Sequence, residues 1–319
     1  MKPTIIIARP IFEETLARLR EHFEVTDNQA DASWTPDVWA EHLQPFVGAL
    51  TTGANPVNAQ VLARNPQLRI VANMAVGYNN FDVPAMTAQG VQASNTPDVL
   101  TETTADFGFA LLMATARRMT ESEHYLRAGL WKQWRYDMFA GAEVHGSTMG
   151  ILGMGRIGQA IAKRAAAFDM DISYHTRNPR SDVSYKYVGN LVEMATQVDY
   201  LVAITPGGAA TKNLINADVL KALGPQGFLV NVARGSVVDQ AALIEALQKK
   251  TIAGAGLDVY VDEPNVPAEL RKLDNVVLTP HIASGTVETR KAMSALALAN
   301  LAAHFAGGPV KTPVPECRS

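Results

Sequence analysis

Residues 149–165 read MGILGMGRIGQAIAKRA. The apolar run Met149–Leu152 leads directly into Gly153-x-Gly155-x-x-Gly158, and a helical pattern follows. In such a strand–turn–helix unit the first glycine permits a tight turn. The second lets backbone approach a pyrophosphate, and the third lets helix and strand pack closely. The helix N-terminus adds N–H donors and the positive end of its dipole. A lone GxGxxG is weak evidence, but a strand before it and a helix after it make dinucleotide binding the expected role. Gly153, Gly155, Arg156, Ile157 and Gly158 are the expected contacts.

The next strand, read as Ile172–Thr176, runs into His175-Thr176-Arg177-Asn178. NAD-preferring sites place Asp or Glu near the carboxyl end of this strand, to accept from the ribose 2′-hydroxyl. Asp169 and Asp171 enter at the opposite end, too far away at ~3.3 Å per residue. Arg177 occupies the useful end and can pair with a 2′-phosphate, with Arg180 assisting from the turn. NADP(H) is the favoured cofactor, and NAD(H) stays open as the alternative. His175, Thr176, Arg177 and Asn178 are the candidate ribose contacts.

Outward from this unit, strand and helix signals alternate along nearly the whole chain. Thr4–Ala8, Phe23–Thr26, Val47–Thr51, Arg69–Met74 and Val91–Ser94 read as strands, with helical segments between them. This βαβ rhythm predicts a parallel sheet with helices on both faces. At Asn95-Thr96-Pro97 it breaks, and one long helix is expected from Thr101 to about Ala128. A second βα series runs from Thr148 to Val276–Leu278, and the Ala/Leu-rich stretch Glu288–Phe305 reads as a returning helix. The expected architecture is α/β, with two doubly wound parallel-sheet domains. A Rossmann cofactor domain, residues 100–285, is inserted in a discontinuous, flavodoxin-like substrate domain of residues 1–99 and 286–319.

Composition narrows the function. Of 319 residues 47% are hydrophobic and 18% charged, with a formal net charge of −3, which offers no basic field to nucleic acid or anionic lipid. The single cysteine, Cys317, forms neither an intrachain disulfide nor a thiolate metal cluster, so no metal is expected. Such usage suits a reducing cytosol. The apolar run in MKPTIIIARP is too short for a signal peptide, and no stretch reaches the ~20 residues of a membrane span. A soluble, cytoplasmic protein is expected.

Three residues downstream suggest chemistry. Arg234 in LVNVARGSVVD, Glu263 in GLDVYVDEP and His281 in VVLTPHIASGT each follow a strand of the second series, at the edge where ligands of open α/β sheets bind. An arginine fork can hold a carboxylate bidentately. A histidine can exchange a proton with a carbinol oxygen near neutral pH, and a neighbouring glutamate favours its charged form.

The ordered motifs MAVGYNNFDV, VLTETTAD, GILGMGRIG, NVARGSVVD, AGLDVY-x-x-EP and LTPHIAS resemble the D-2-hydroxyacid dehydrogenases over roughly residues 70–290. The likeness points to the glyoxylate/hydroxypyruvate and 2-ketogluconate reductase branch. The resemblance implies that Arg234 binds substrate carboxylate and carbonyl, that His281 is the general acid/base, and that Glu263 tunes it. It implies that Asp258 binds the nicotinamide carboxamide, with Thr104 and Ser284 nearby. Thr205, Pro206 and Val232 complete the cofactor contacts. The N–H groups of Val76 and Gly77 are expected to grip the substrate carboxylate as an anion nest. The segment containing Trp131, Trp134, Met138 and Phe139 is expected to pack across a two-fold homodimer. Val76 stands where phosphite-oxidising relatives carry lysine, which argues against phosphite. PGGAAT, residues 206–211, is less polar than is usual in the family, which puts adenosine contacts there in doubt. The expected reaction is reduction of a small 2-oxo acid to the D-2-hydroxy acid. A nucleotide-sensing regulator of the corepressor type, which shares fold and triad, is the alternative.

Overall fold

The computed structural model describes residues 1–317; Arg318 and Ser319, the end of the expected outer segment, lie outside the described residues. The chain forms two compact units, Met1–Leu100 joined by the chain from Gly285 onward, and Thr101–Ser284.

The first unit begins with β1 (Thr4–Ile7), α1 (Glu13–His22), β2 (Glu24–Asp27), α2 (Pro36–Leu43) and β3 (Gly48–Thr51). It continues with α3 (Ala59–Ala63), β4 (Ile70–Asn73), α4 (Val83–Ala88) and β5 (Gln92–Ser94). The strands pair in parallel in the order β2-β1-β3-β4-β5, the flavodoxin-like order. Buried runs such as Ile5-Ile6-Ile7 and Ile70-Val71-Ala72 explain it: a parallel sheet is covered on both faces and takes continuous apolar strands. Thr35 caps α2 by accepting from the Val38 N–H, with Pro36 in the first turn, as the Thr-Pro pair predicts.

The second unit contains α5 (Thr101–Ala116), α6 (Met119–Arg127), β6 (Thr148–Leu152), α7 (Arg156–Ala166), β7 (Asp171–His175) and β8 (Lys186–Tyr187). Then come α8 (Leu191–Ala195), β9 (Tyr200–Ala203), α9 (Ala217–Leu223), β10 (Phe228–Asn231) and α10 (Gln240–Gln248). It closes with β11 (Gly254–Leu257), α11 (Ala268–Arg271) and β12 (Val276–Leu278). Its seven parallel strands run β12-β11-β10-β9-β6-β7-β8, so the order reverses between β6 and β9 as in a dinucleotide-binding sheet. α12 (Val287–Phe305) returns to the first unit, where Ala297, Leu298 and Leu301 join Ile5, Ile7, Leu16 and Leu19 in one core. Among the described residues no helix is long and apolar enough to cross a membrane.

One expectation needs correction. The helix from Thr101 does not continue to Ala128: it stops at Ala116, and Arg118 takes a left-handed backbone (φ 52°) before α6. The cause lies downstream in sequence. The Ala116 carbonyl, which a continuing helix would use, accepts from Ala142 N–H at 2.9 Å instead. Gly141 makes this crossing feasible, because a Cβ there would sit 2.3 Å from the Ala116 oxygen. Strand limits also shift by a residue: β7 ends at His175, leaving Thr176 in the turn, and β4 covers Ile70–Asn73.

The glycine turn shows why three glycines are needed, each for a different reason. Gly153 has φ +107°, and a Cβ on Gly158 would lie 2.1 Å from the Gly153 oxygen. An added Cβ on Gly155 meets nothing within 4 Å. Gly158→Ala should therefore destabilise the fold by ~2 kcal/mol or more through this clash, read as a marked drop in the thermal midpoint. Gly155→Ala should melt like the parent and lose affinity only for NADPH. Calorimetry with a cofactor titration distinguishes them, and equal melting of all three proteins would refute the packing argument.

Candidate active site

The turn after β6 lies at the point where strand order reverses, the place where open α/β sheets bind ligands. A Cβ on Gly153 would fall 2.8 Å from Thr205 N, so the turns after β6 and β9 are in backbone contact. No side chain caps α7, leaving its N-terminal dipole for an anion. Arg156 is exposed, while Ile157 and Thr205 are partly buried and Pro206 is exposed.

At the end of β7 the His175 ring stacks on Tyr187, with centroids 6.4 Å apart and planes 11° from parallel. His175 Nδ1 lies 2.8 Å from the Val188 carbonyl, which fixes that nitrogen as the donor. The Thr176 hydroxyl donates to the Asn178 carbonyl at 2.7 Å and closes the turn. Arg177 and Asn178 are exposed, and the Arg177 guanidinium makes no hydrogen bond or ion pair among the described residues. Arg180, expected to assist from the turn, is paired instead with an acid of the same turn. Both arms of its guanidinium are taken by Asp182, and Tyr174 Oη accepts from its N–H at 2.8 Å. Arg177 is therefore the arginine of this turn whose guanidinium has no carboxylate partner among the described residues.

The triad is assembled by backbone turns. β10 ends at Asn231, whose side chain accepts from Ala233 N–H (3.0 Å) and donates to the Arg234 carbonyl (3.1 Å). Gly235 follows, and a Cβ there would come within 1.9 Å of the Tyr260 carbonyl carbon, so glycine alone fits between the turns after β10 and β11. Gly207 similarly leaves room for the arginine stem, since a Cβ would lie 2.8 Å from Arg234 Cγ. Tyr260 N–H donates to Glu263 Oε1 at 3.0 Å, and Glu263 Oε2 accepts from His281 Nδ1 at 2.7 Å. This leaves His281 Nε2 as the ring nitrogen without a carboxylate partner.

His281 itself has φ 54°, a backbone conformation disfavoured for any side chain. Asp258, fully buried, holds it there. Its carboxylate accepts from Thr279 Oγ1 (2.8 Å), Ile282 N–H (2.9 Å) and Ala283 N–H (2.9 Å), on both sides of the histidine. Tyr260 Oη adds a bond to the Thr279 carbonyl at 3.0 Å. Tyr260 and Thr279 lie inside the quoted motifs but had no assigned role. The three-residue offset of Tyr260 from Glu263, the reach of a carboxylate back to a turn N–H, was the available signal.

The charges fit the geometry. Burial pushes the Arg234 guanidinium below its ordinary value, opposed by the Glu263 charge. Burial also pushes the Glu263 carboxyl up, but bonds from His281 and the Tyr260 N–H, with the charges of His281 and Arg234, hold it below the usual carboxylate range. Asp258 is raised by burial against its three donors. Of the other expected residues, Thr104 is buried in the first turn of α5, Val232 is buried just past β10, and Ser284 is partly exposed after His281. Val76 and Gly77 belong to the first unit, in the loop after β4.

Residues 109–283 match the family described as D-isomer specific 2-hydroxyacid dehydrogenase, NAD binding domain. The chain belongs to this family. A glyoxylate reductase of Thermococcus onnurineus is 43% identical over 317 residues, covering 97% of this chain and 95% of the relative. A glyoxylate/hydroxypyruvate reductase of Arabidopsis thaliana is 43% identical, covering 85% of each chain. The crystal structure of an NADPH-dependent glyoxylate/hydroxypyruvate reductase from Sinorhizobium meliloti, in complex with NADP and malonate, superposes with a TM-score of 0.89. It is 45% identical over 99% of this chain and 98% of that one. In the D-2-hydroxyacid dehydrogenase frame the chain is α/β with two parallel sheets and a nicotinamide-dinucleotide site.

Because the folded Glu263 carboxyl is held below its ordinary value, its ionised form stabilises the fold. That contribution is complete above the unfolded value, ~4.3, and is lost as pH falls through the lowered one. The stability difference between parent and Glu263→Gln should shrink as pH drops below ~4. Urea midpoints measured across pH check this, and a difference independent of pH would leave the Glu263 charge without a partner.

Proposed function

We propose that this D-2-hydroxyacid dehydrogenase reduces a small 2-oxo acid, glyoxylate, hydroxypyruvate or 2-ketogluconate, to the D-2-hydroxy acid, with NADPH favoured over NADH. The observation that carries the reading is the 2.7 Å Glu263–His281 contact in the same strand-end cluster as the partly buried, charged Arg234. The names of the relatives support the substrate class, and the NADP complex of the Sinorhizobium enzyme supports the cofactor.

The residues fit the cofactor: the space over Gly155 and the uncapped α7 terminus suit a pyrophosphate, and Arg177, without a partner among the described residues, suits a 2′-phosphate. Asp258, Thr104 and Ser284 take the nicotinamide end in this reading. When bound, the nicotinamide supplies the hydride that reduces the keto carbon. The N–H groups of Val76 and Gly77 bind the substrate carboxylate, and Arg234 binds carboxylate and carbonyl together, an arrangement a planar fork suits. His281 Nε2 gives its proton to the carbonyl oxygen as negative charge develops there. Glu263 stays ionised and, by accepting from Nδ1, orients the ring for that transfer. Donors already aimed at the developing alkoxide need no reorganisation during the reaction.

Exposed Leu126, Leu130, Trp131 and Trp134 support assembly as a homodimer, and the single cysteine supports a cytoplasmic setting.

His281→Ala should leave NADPH affinity nearly unchanged and slow glyoxylate reduction ~10²–10⁴-fold, the usual effect of losing a positioned proton donor. Retention of more than about a tenth of parental turnover by the folded variant would assign the acid elsewhere. At the cofactor end, one charge-assisted contact to a 2′-phosphate predicts ~10–150-fold higher kcat/KM for NADPH than for NADH. Thr176→Asp combined with Arg177→Ala should reverse that ratio. An unmoved ratio at saturating 2-oxo acid would make Arg177 a surface residue.

A further inference from the structure

Past the end of β4 the chain turns three successive carbonyls inward. Ala75 O accepts from Thr96 N–H at 3.0 Å, Val76 O from Asn95 Nδ2 at 2.8 Å, and Gly77 O from Asn73 Nδ2 at 3.0 Å. In a trans peptide a carbonyl and the next N–H point in opposite directions. Tying the Ala75 carbonyl therefore aims the Val76 N–H outward, and tying the Val76 carbonyl aims the Gly77 N–H outward. Neither N–H has an acceptor among the described residues.

The ties are built in. Asn73 is fully buried and accepts from Thr51 Oγ1 at 3.1 Å; Asn95 is 7% exposed. The last segment of the chain braces Asn95: its N–H donates to Thr312 O at 3.2 Å, and its carbonyl accepts from Thr312 Oγ1 at 2.7 Å. Thr312 is held in turn by both ends of the Asn300 side chain, fully buried in α12. Val314 N–H bonds to Ala93 O, so this segment runs antiparallel beside β5 and fixes where Asn95 stands.

We infer that Asn95 is a positioning residue for substrate selection: it never touches the 2-oxo acid but holds the Val76–Gly77 peptide with its N–H toward the carboxylate. This rests on the reading that those N–H groups bind the carboxylate. Without the Asn95 donor, the Val76 carbonyl is left to compete for other partners and the peptide plane is free to rotate. An N–H to a charged group then loses its alignment.

The test uses the full chain with NADPH. Asn95→Ala, and Asn95→Asp as the variant of nearly equal size that removes the donor, should raise both the glyoxylate KM and the oxalate inhibition constant ~10–100-fold. NADPH dissociation constants should match the parent, and kcat should stay within about threefold. A merely structural role would lower the melting temperature and kcat together and leave KM and the inhibition constant alone, which overturns the proposal. Val76→Pro, which removes one N–H outright, tests the underlying reading separately. If Val76→Pro weakens oxalate and the folded Asn95 variants do not, the N–H reading stands and Asn95 is not a positioning residue. If the folded Val76→Pro binds oxalate like the parent, the N–H reading fails and takes this proposal with it.

Discussion

A single buried carboxylate holds the catalytic end of this protein in place. Asp258 follows β11, has no exposed surface, and receives three donors from the segment 279–283. Those bonds make a left-handed histidine tolerable, since backbone strain of ~1–3 kcal/mol persists only where surrounding structure over-determines it. With Asp258 fixed, His281 Nδ1 faces Glu263, and Glu263 is fixed by the neighbouring Tyr260 N–H. Charge, orientation and strain are thus settled by side-chain bonds to backbone and to one another within two adjacent strand-end turns.

Much of this was legible in the sequence, for reasons that differ by element. Continuous apolar strands, Thr-Pro at α2 and the glycine turn are local signals, and each matches the local structure. The break after Ala116 was not legible, because its cause is Gly141 and Ala142, some 25 residues away, taking the carbonyl a longer helix would have used. The same limit applies to Arg180. From the strand it looked available for a phosphate, but Asp182 two residues on neutralises it, and only the fold of the turn shows that. Arg234, Glu263 and His281 were found by their position after strands, yet nothing in their spacing shows that Gly235 must sit on the Tyr260 peptide.

The two sheets use the same device at their carboxyl ends. Asn73 is the last residue of β4, Asn95 follows β5, Asn231 is the last residue of β10 and Asp258 follows β11; all four are buried. Each side chain leaves the sheet ladder and bonds to backbone of a nearby loop, a competition with regular structure that short Asn and Asp side chains win readily. A parallel sheet collects its loops at this edge, and the apolar residues packed there, such as Val232, Ala233 and Val259, carry no directional bonds to orient the backbone. Buried amides and a carboxylate do so instead, with directional bonds that choose which way each peptide faces. In the first unit that choice leaves N–H groups outward, the sign a substrate carboxylate requires. In the second it sets Arg234 and His281, the groups assigned to carboxylate and carbonyl. In the proposed mechanism, recognition and proton transfer therefore depend on polar residues placed where a purely apolar core would leave the loop backbone undirected.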